Sequence, residues 1–132
     1  MKAVLALMLY AQIGIAENTA QVQEYLNTVG LSGDYAWCAA FVNYNLESIG
    51  LKGTGSPLAR SYLNYGIPVN NPEKYDLVVF KRGNSSWQGH VAFYIDETEG
   101  GVLVLGGNQS DSVNIQEYSK DRILGFRRIS FD

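Results

Sequence analysis

One cysteine, one histidine and three prolines are all that 132 residues contain of those types, and each scarcity excludes something. A single cysteine cannot form an intramolecular disulfide, so nothing in the chain records folding in an oxidising compartment. One histidine and one cysteine cannot supply the ligand cluster of a zinc site, so any chemistry here is expected to need no metal and no other cofactor. Basic residues are few as well: 10 Lys and Arg stand against 13 Asp and Glu, for a net charge of −3. The pairs Lys81–Arg82 and Arg127–Arg128 are isolated. The basic stripe of a nucleic-acid binder is therefore missing, and nucleic acid is not an expected partner. No apolar run reaches the roughly 20 residues that cross a membrane. The glycine-containing "GTGSP" lacks the Gly-Lys-Ser/Thr ending of a phosphate-binding loop. Repeats and low-complexity segments are also absent.

What remains suits one domain spanning residues 1–132, expected to be a monomer. The length lies within the range of roughly 100–150 residues common for single domains, and 46% apolar residues can fill one core. The N-terminal "MKAVLALMLYAQIGIAE" has the look of a signal peptide, with Lys2, an apolar run, and Gly14 and Ala16 at plausible cleavage positions. It also runs without a linker into a second helical pattern. We read residues 3–15 as a buried first helix, and expect a protein made in the cytoplasm without a cleaved leader.

Further along, Asn18 with Gln21 resembles a capping box, and Val22, Tyr25, Leu26 and Val29 form an apolar stripe that Gly30 ends. This predicts a second helix near 19–29. Asp34 is a good N-cap for a third, whose stripe runs from Cys38 through Phe41, Val42, Asn45 and Leu46 to Ile49. Gly50 stops it, with Leu51 placed to pack back on Leu46. Leu58–Tyr65 reads as one or two helical turns. After Pro72 the period changes to alternation, with strands predicted at 76–81, 90–96, 102–107, 112–118 and 123–130. Helices first and strands afterwards imply an α+β domain with an antiparallel sheet of about five strands.

That arrangement allows the lone Cys38 and the lone His90 to be brought together. If "ETEGG" (97–101) is a hairpin loop, Asp96 faces Val102, Tyr94 faces Val104, Ala92 faces Gly106, and His90 faces Asn108. Opposed residues share a sheet face with Cβ atoms about 4.5–5.5 Å apart. A slip of one residue, with Gly106 and Gly107 hosting a bulge, substitutes Gln109 for Asn108. The resulting set is a thiol in the first turn of a helix, an imidazole on a strand, and an amide oxygen behind it. Only a thiolate attacks a carbonyl well, and a helix N-terminus and an imidazolium both lower a thiol pKa from about 8.5. The amide would orient the ring, and the Cys38 backbone N–H would help hold an oxyanion. Each residue also has a plainer reading. Cys38 lies on an apolar stripe and unpaired cysteine is often core filling, His90 would be structural, and Asn108 a turn residue.

At these residues the sequence resembles the papain-like peptidoglycan amidases and endopeptidases of the NlpC/P60 and CHAP type. The marks are "WCAAFVN" (37–43), "GTGSPLARSYLNYG" (53–66), "DLVVFKR" (76–82), "GHVAFY" (89–94) and "LGGNQSDSVNI" (105–115), in the family's order along nearly the whole chain. The lead-in "AQIGIAEN" (11–18) is similar to the start of that domain. The resemblance implies a papain-like α+β fold and hydrolysis of an amide in the wall peptide through a thioester. It maps the nucleophile onto Cys38, the base onto His90 and the third polar residue onto Asn108, with Gln109 as the alternative. It further suggests that Tyr35, Trp37, Arg60 and Gln109 line the substrate groove. Tyr75 stands where the family often has glycine before the Asp of a core strand, a change expected to alter a turn. No wall-binding module is attached, and an acidic chain gains no electrostatic help near an anionic wall. Action on the wall is therefore expected to follow delivery by a secretion or lysis system, unless the chain is part of something larger. Two other functions fit the same residues: a catalytically silent module that binds glycan or peptide, and a thiol acyltransferase. An unreactive thiol would favour the first, and products formed with added nucleophiles the second.

Overall fold

A computed structural model describes residues 1–131. The chain forms α1 (Lys2–Ala11), α2 (Ala20–Asn27), α3 (Cys38–Ser48) and a 3-10 helix (Ala59–Asn64), followed by the strands. These are β1 (Ile67–Val69), β2 (Leu77–Lys81), β3 (Gly89–Glu97), β4 (Gly101–Gln109), β5 (Ser112–Ser119) and β6 (Ile123–Arg128). They make one antiparallel sheet in the order β1-β6-β2-β3-β4-β5, so the α+β class read from the sequence is the fold. The sheet has six strands rather than five. The unforeseen one, β1, is three residues with Pro68 at its centre, too short to show alternation, and it pairs only along the edge of β6.

Helix ends follow the sequence at their C-termini better than at their N-termini. Gly50 (φ +85°) stops α3, and the Leu51 N–H returns to the Leu46 carbonyl at 2.9 Å. α2 is capped by Thr19, not by an Asn18 box; Asn18 has a left-handed backbone (φ +65°) one residue too early. α3 begins at Cys38 instead of just after Asp34. Just before that stretch the Gln23 side-chain amide binds both the N–H and the carbonyl of Gly33, at 3.0 and 2.8 Å. α1 stops at Ala11, short of the predicted residue 15. The chain beyond it turns to pair along β5, through Gly14 N–H to Val113 O and Val113 N–H to Ile15 O, both 2.9 Å. This cover protects an edge strand, while α1 is buried on one face only: Leu5 and Leu9 are in the core, and Val4, Leu7 and Tyr10 are exposed, contrary to the expectation of a buried helix.

Two apolar clusters lie on opposite faces of the sheet. On the first, α3 packs Phe41, Val42 and Leu46 against Val91, Phe93 and Leu105, with Tyr25 and Trp37 stacked beside them. The second, made by Val78, Phe80, Ala92, Tyr94, Val102 and Val104, has no helix over it and is still buried. Curling of the sheet accounts for this. Phe80 on β2 and Tyr118 on β5 lie three strand spacings apart, about 14 Å across a flat sheet. Their ring centroids are nevertheless 4.7 Å apart.

The Asp of "DLVVF" ties the two halves of the sheet. Asp76 is 1% exposed and accepts from Arg128 Nε (3.1 Å) and Nη2 (2.9 Å), and from the Glu73 N–H (2.7 Å). The preceding Tyr75 takes a left-handed backbone (φ +73°), open to glycine without strain, and its N–H still reaches the Tyr94 carbonyl at 2.8 Å. Its presence in place of glycine thus adds strain to the turn and leaves the path intact. Removing one partner of a buried ion pair costs about 3–5 kcal/mol, whereas an exposed pair is worth about 1 kcal/mol or less. We expect Asp76→Ala to lower the unfolding free energy in urea by about 3 kcal/mol. Glu73→Ala, which removes the exposed partner of the same Arg128, should change it by less than about 1 kcal/mol.

Candidate active site

Trp37 occupies the N-cap of α3 without a side-chain cap, so the first N–H groups of the helix, Cys38 among them, have no intrahelical partner. These groups and the helix dipole favour negative charge at the position of the thiol. Cys38 is 5% exposed. Burial, the largest influence on its pKa, pushes the thiol up. His90, by hydrogen bonding and by charge, the Val91 backbone N–H and the Arg82 charge pull it down, and the balance lies below the ordinary thiol value. An apolar cysteine in a core would show only the first of these effects.

His90 belongs to the second face of the sheet, in a three-ring cluster with Phe80 and Tyr118 at centroid distances of 6.0 and 5.3 Å. Its Nε2 lies 2.9 Å from Gln109 Oε1. The amide's orientation is fixed by its other end. Gln109 Nε2 donates to the Asn114 carbonyl (2.9 Å) and to Asn114 Oδ1 (3.0 Å), so the oxygen must face the ring. Nε2 of His90 therefore carries the hydrogen, and Nδ1 is the nitrogen free to exchange a proton with sulfur. Asn114 is held in turn, its Nδ2 donating to Gln109 O (2.6 Å) and Ser112 Oγ (2.9 Å).

The amide behind His90 is thus Gln109, and the register that favoured Asn108 is corrected twice. Tyr94 faces Val104 as predicted, but an extra residue in β3 at Ile95 sets Asp96 opposite Leu103, so the hairpin loop is shorter than 97–101. A second bulge lies in β4. Gly106 pairs with Asn114 and Gln109 with Ser112, which leaves Gly107 and Asn108 as one residue too many. Asn108 takes up that bulge in a left-handed backbone (φ +58°), which brings Gln109 to the histidine. Both glycines are required by close approach. A Cβ on Gly106 would lie 2.6 Å from Gln109 Oε1, and one on Gly107 would lie 2.8 Å from Phe41 Cβ and from the Trp37 ring.

The thiol opens onto a cavity of about 360 Å³. Of the residues read as groove-lining, only Tyr35 lines it, half exposed. Trp37 is fully buried and stacks on Tyr25, so it supports the site from below and meets no substrate. Arg60 is a strut: its Nε and Nη2 donate to the carbonyls of Gln88 (2.8 Å) and Ser85 (2.7 Å), fixing the loop that leads to His90. Gln109, 1% exposed, serves the imidazole instead of the groove. Pro57, Leu58 and Ala59 contribute a wall, and just before them Asn43 Oδ1 accepts from the Gly55 N–H at 3.0 Å. The sequence reading missed Asn114, Tyr118, Arg82 and Trp87. For Asn114 a signal existed. Ser110 and Asp111 both have left-handed backbones (φ +52° and +63°), making a two-residue turn that pairs Gln109 with Ser112.

Compared with known protein families, residues 30–108 match the CHAP domain, more than half of the chain. The chain belongs to the CHAP family. CHAP domains are usually cysteine amidases or peptidases that act on peptidoglycan, and the observed α+β architecture agrees with their papain-like fold. No curated protein matches the chain. In this CHAP domain the matched segment contains Cys38 and His90 and ends at Asn108, one residue before the amide that binds the imidazole.

The geometry gives a pH signature. Cys38 alkylation by iodoacetamide should persist below the ordinary thiol pKa in the native protein. His90→Ala removes the main opposing influence and leaves burial, so the titration should move above that value. Gly106→Ala, which displaces the Gln109 amide, should shift the profile in the same direction while the far-UV spectrum is retained.

Proposed function

We propose that this CHAP domain hydrolyses an amide bond of the peptidoglycan peptide, with Cys38 as nucleophile, His90 as general base and acid, and Gln109 orienting His90. One observation carries the reading: the only thiol, buried yet shifted toward its anion, borders a cavity beside an imidazole whose far nitrogen is committed to Gln109.

In the proposed reaction Nδ1 of His90 takes the thiol proton and the Cys38 sulfur attacks the amide carbonyl. The oxyanion of the tetrahedral intermediate accepts hydrogen bonds from the Cys38 N–H at the start of α3. Collapse breaks the C–N bond as Nδ1–H protonates the leaving amine, giving a thioester. Water then gives a proton to Nδ1 and attacks the thioester. The acid product departs and the proton returns to sulfur. Throughout, Nε2–H stays on Gln109, so the ring cannot rotate between the two half-reactions.

The N-terminal segment supports the further reading that the protein acts with residues 1–16 in place. Cleavage after Ala16 would remove Leu5 and Leu9 from the core and uncover β5. The deciding experiment compares wild type with Cys38→Ala on purified peptidoglycan, with released peptides identified by mass. We expect loss of about 10³-fold or more in Cys38→Ala with an unchanged unfolding transition. Full activity in that variant would end the thiol assignment.

A further inference from the structure

We propose that Arg82 is a specificity-determining residue which holds a free carboxylate of the substrate next to the amide that Cys38 attacks, so that the preferred substrate is an acidic peptide. The proposal rests on the hydrolase reading above and names its substrate class.

The chain has five arginines, and four are committed to holding the fold. Arg60 binds the carbonyls of Ser85 and Gln88, and Arg122 reaches the Lys81 carbonyl and lies over the Tyr118 ring. Arg127 donates to the Leu63 carbonyl, and Arg128 pairs with Asp76 and Glu73. Arg82 differs. Among the described residues no ion pair engages it, its side chain is exposed, and it lines the cavity that contains Cys38. Among the described residues it is also the only charged one on that wall, and no Asp or Glu of them lines the cavity. Arg82 and Cys38 line the same cavity, and the arginine charge is felt at both the Cys38 sulfur and the Tyr118 hydroxyl.

A guanidinium is always charged, and its planar fork matches a carboxylate with two parallel hydrogen bonds. The remaining wall is mostly apolar, with Trp87 59% and Tyr35 51% exposed at the cavity. One cation among apolar and aromatic surface suits a ligand with one carboxylate and apolar neighbours. A phosphate would need more donors than this wall offers. The protein's net charge of −3 repels anions at long range, so a carboxylate is accepted here only through a local cation. Without one, it would also lie unpaired near the attacking thiolate.

The test uses two probes on wild type, Arg82→Gln and Arg82→Lys. The first is the ratio of Cys38 alkylation rates by iodoacetate, an anion, and iodoacetamide, its neutral analogue. Taking the ratio cancels any change in thiolate population. We expect it to fall by at least about threefold in Arg82→Gln at low salt and to be largely kept in Arg82→Lys. The second is hydrolysis of two wall-peptide fragments that differ only in a free carboxylate or a carboxamide beside the scissile amide. Wild type should prefer the acid, and Arg82→Gln should lose the preference. An unchanged alkylation ratio with an unchanged preference overturns the role of Arg82 alone. Hydrolysis of neither fragment by wild type, with a thiol that still alkylates, overturns the hydrolase reading and the substrate named here with it.

Discussion

The hydrogen bond from His90 Nε2 to Gln109 Oε1, 2.9 Å long and buried, is the constraint on which the proposed chemistry of this domain depends. A neutral imidazole has one donor and one acceptor nitrogen, and whichever neighbour fixes one nitrogen decides what the other can do. Committing Nε2–H to Gln109 leaves Nδ1 for the thiol. The bond itself contributes only about 1 kcal/mol to stability. Its value is directional, since it removes the tautomer in which His90 would face sulfur with the wrong valence.

That bond is built from irregularities in the sheet. β4 contains one more residue than its partner, and the surplus at Gly107 and Asn108 turns Gln109 toward the histidine. Gly106 gives up a side chain so that the Gln109 amide can fold over it, and Gly107 gives up another so that β4 can pass under Trp37 and Phe41. The same close passage of α3 and the sheet buries the thiol, which alone would keep it protonated. His90, the Val91 N–H and the Arg82 charge reverse the sign, and the open N–H groups of α3 add to them. Burial and anion stabilisation thus come from one packing event.

The sequence made legible what depends on local chemistry. The helix stop at Gly50 with Leu51 and the change from helical to alternating period rest on short-range patterns, and the pairing of the lone Cys38 with the lone His90 follows from the order of helices and strands. What it hid depends on counts of one. A single bulged residue at Ile95 moved the hairpin, and another in β4 exchanged Asn108 for Gln109. Alternation cannot locate a bulge, because every register that keeps apolar residues inward satisfies it. Asp34 is a good N-cap residue by type, yet α3 starts at Cys38 with Trp37 at its N-cap, a position that residue type does not favour. Trp37 read as a groove residue because it adjoins the cysteine, yet at the N-cap its ring turns into the core beside Tyr25.

The choice of glutamine at position 109 follows from what surrounds it. Its side chain must accept from His90 and donate to Asn114 at the same time, and both Asn114 atoms that it meets are oxygens. A glutamate would satisfy the imidazole and turn its second oxygen on two acceptors, in a place 1% exposed where an unpaired charge costs several kcal/mol. An asparagine would fall one methylene short of one end or the other. The amide is therefore dictated by Asn114 as much as by His90, and Asn114 stands on β5, beyond the segment that matches the CHAP domain. Cys38 and His90 lie within the matched segment, and the amide that binds the imidazole follows one residue after its end.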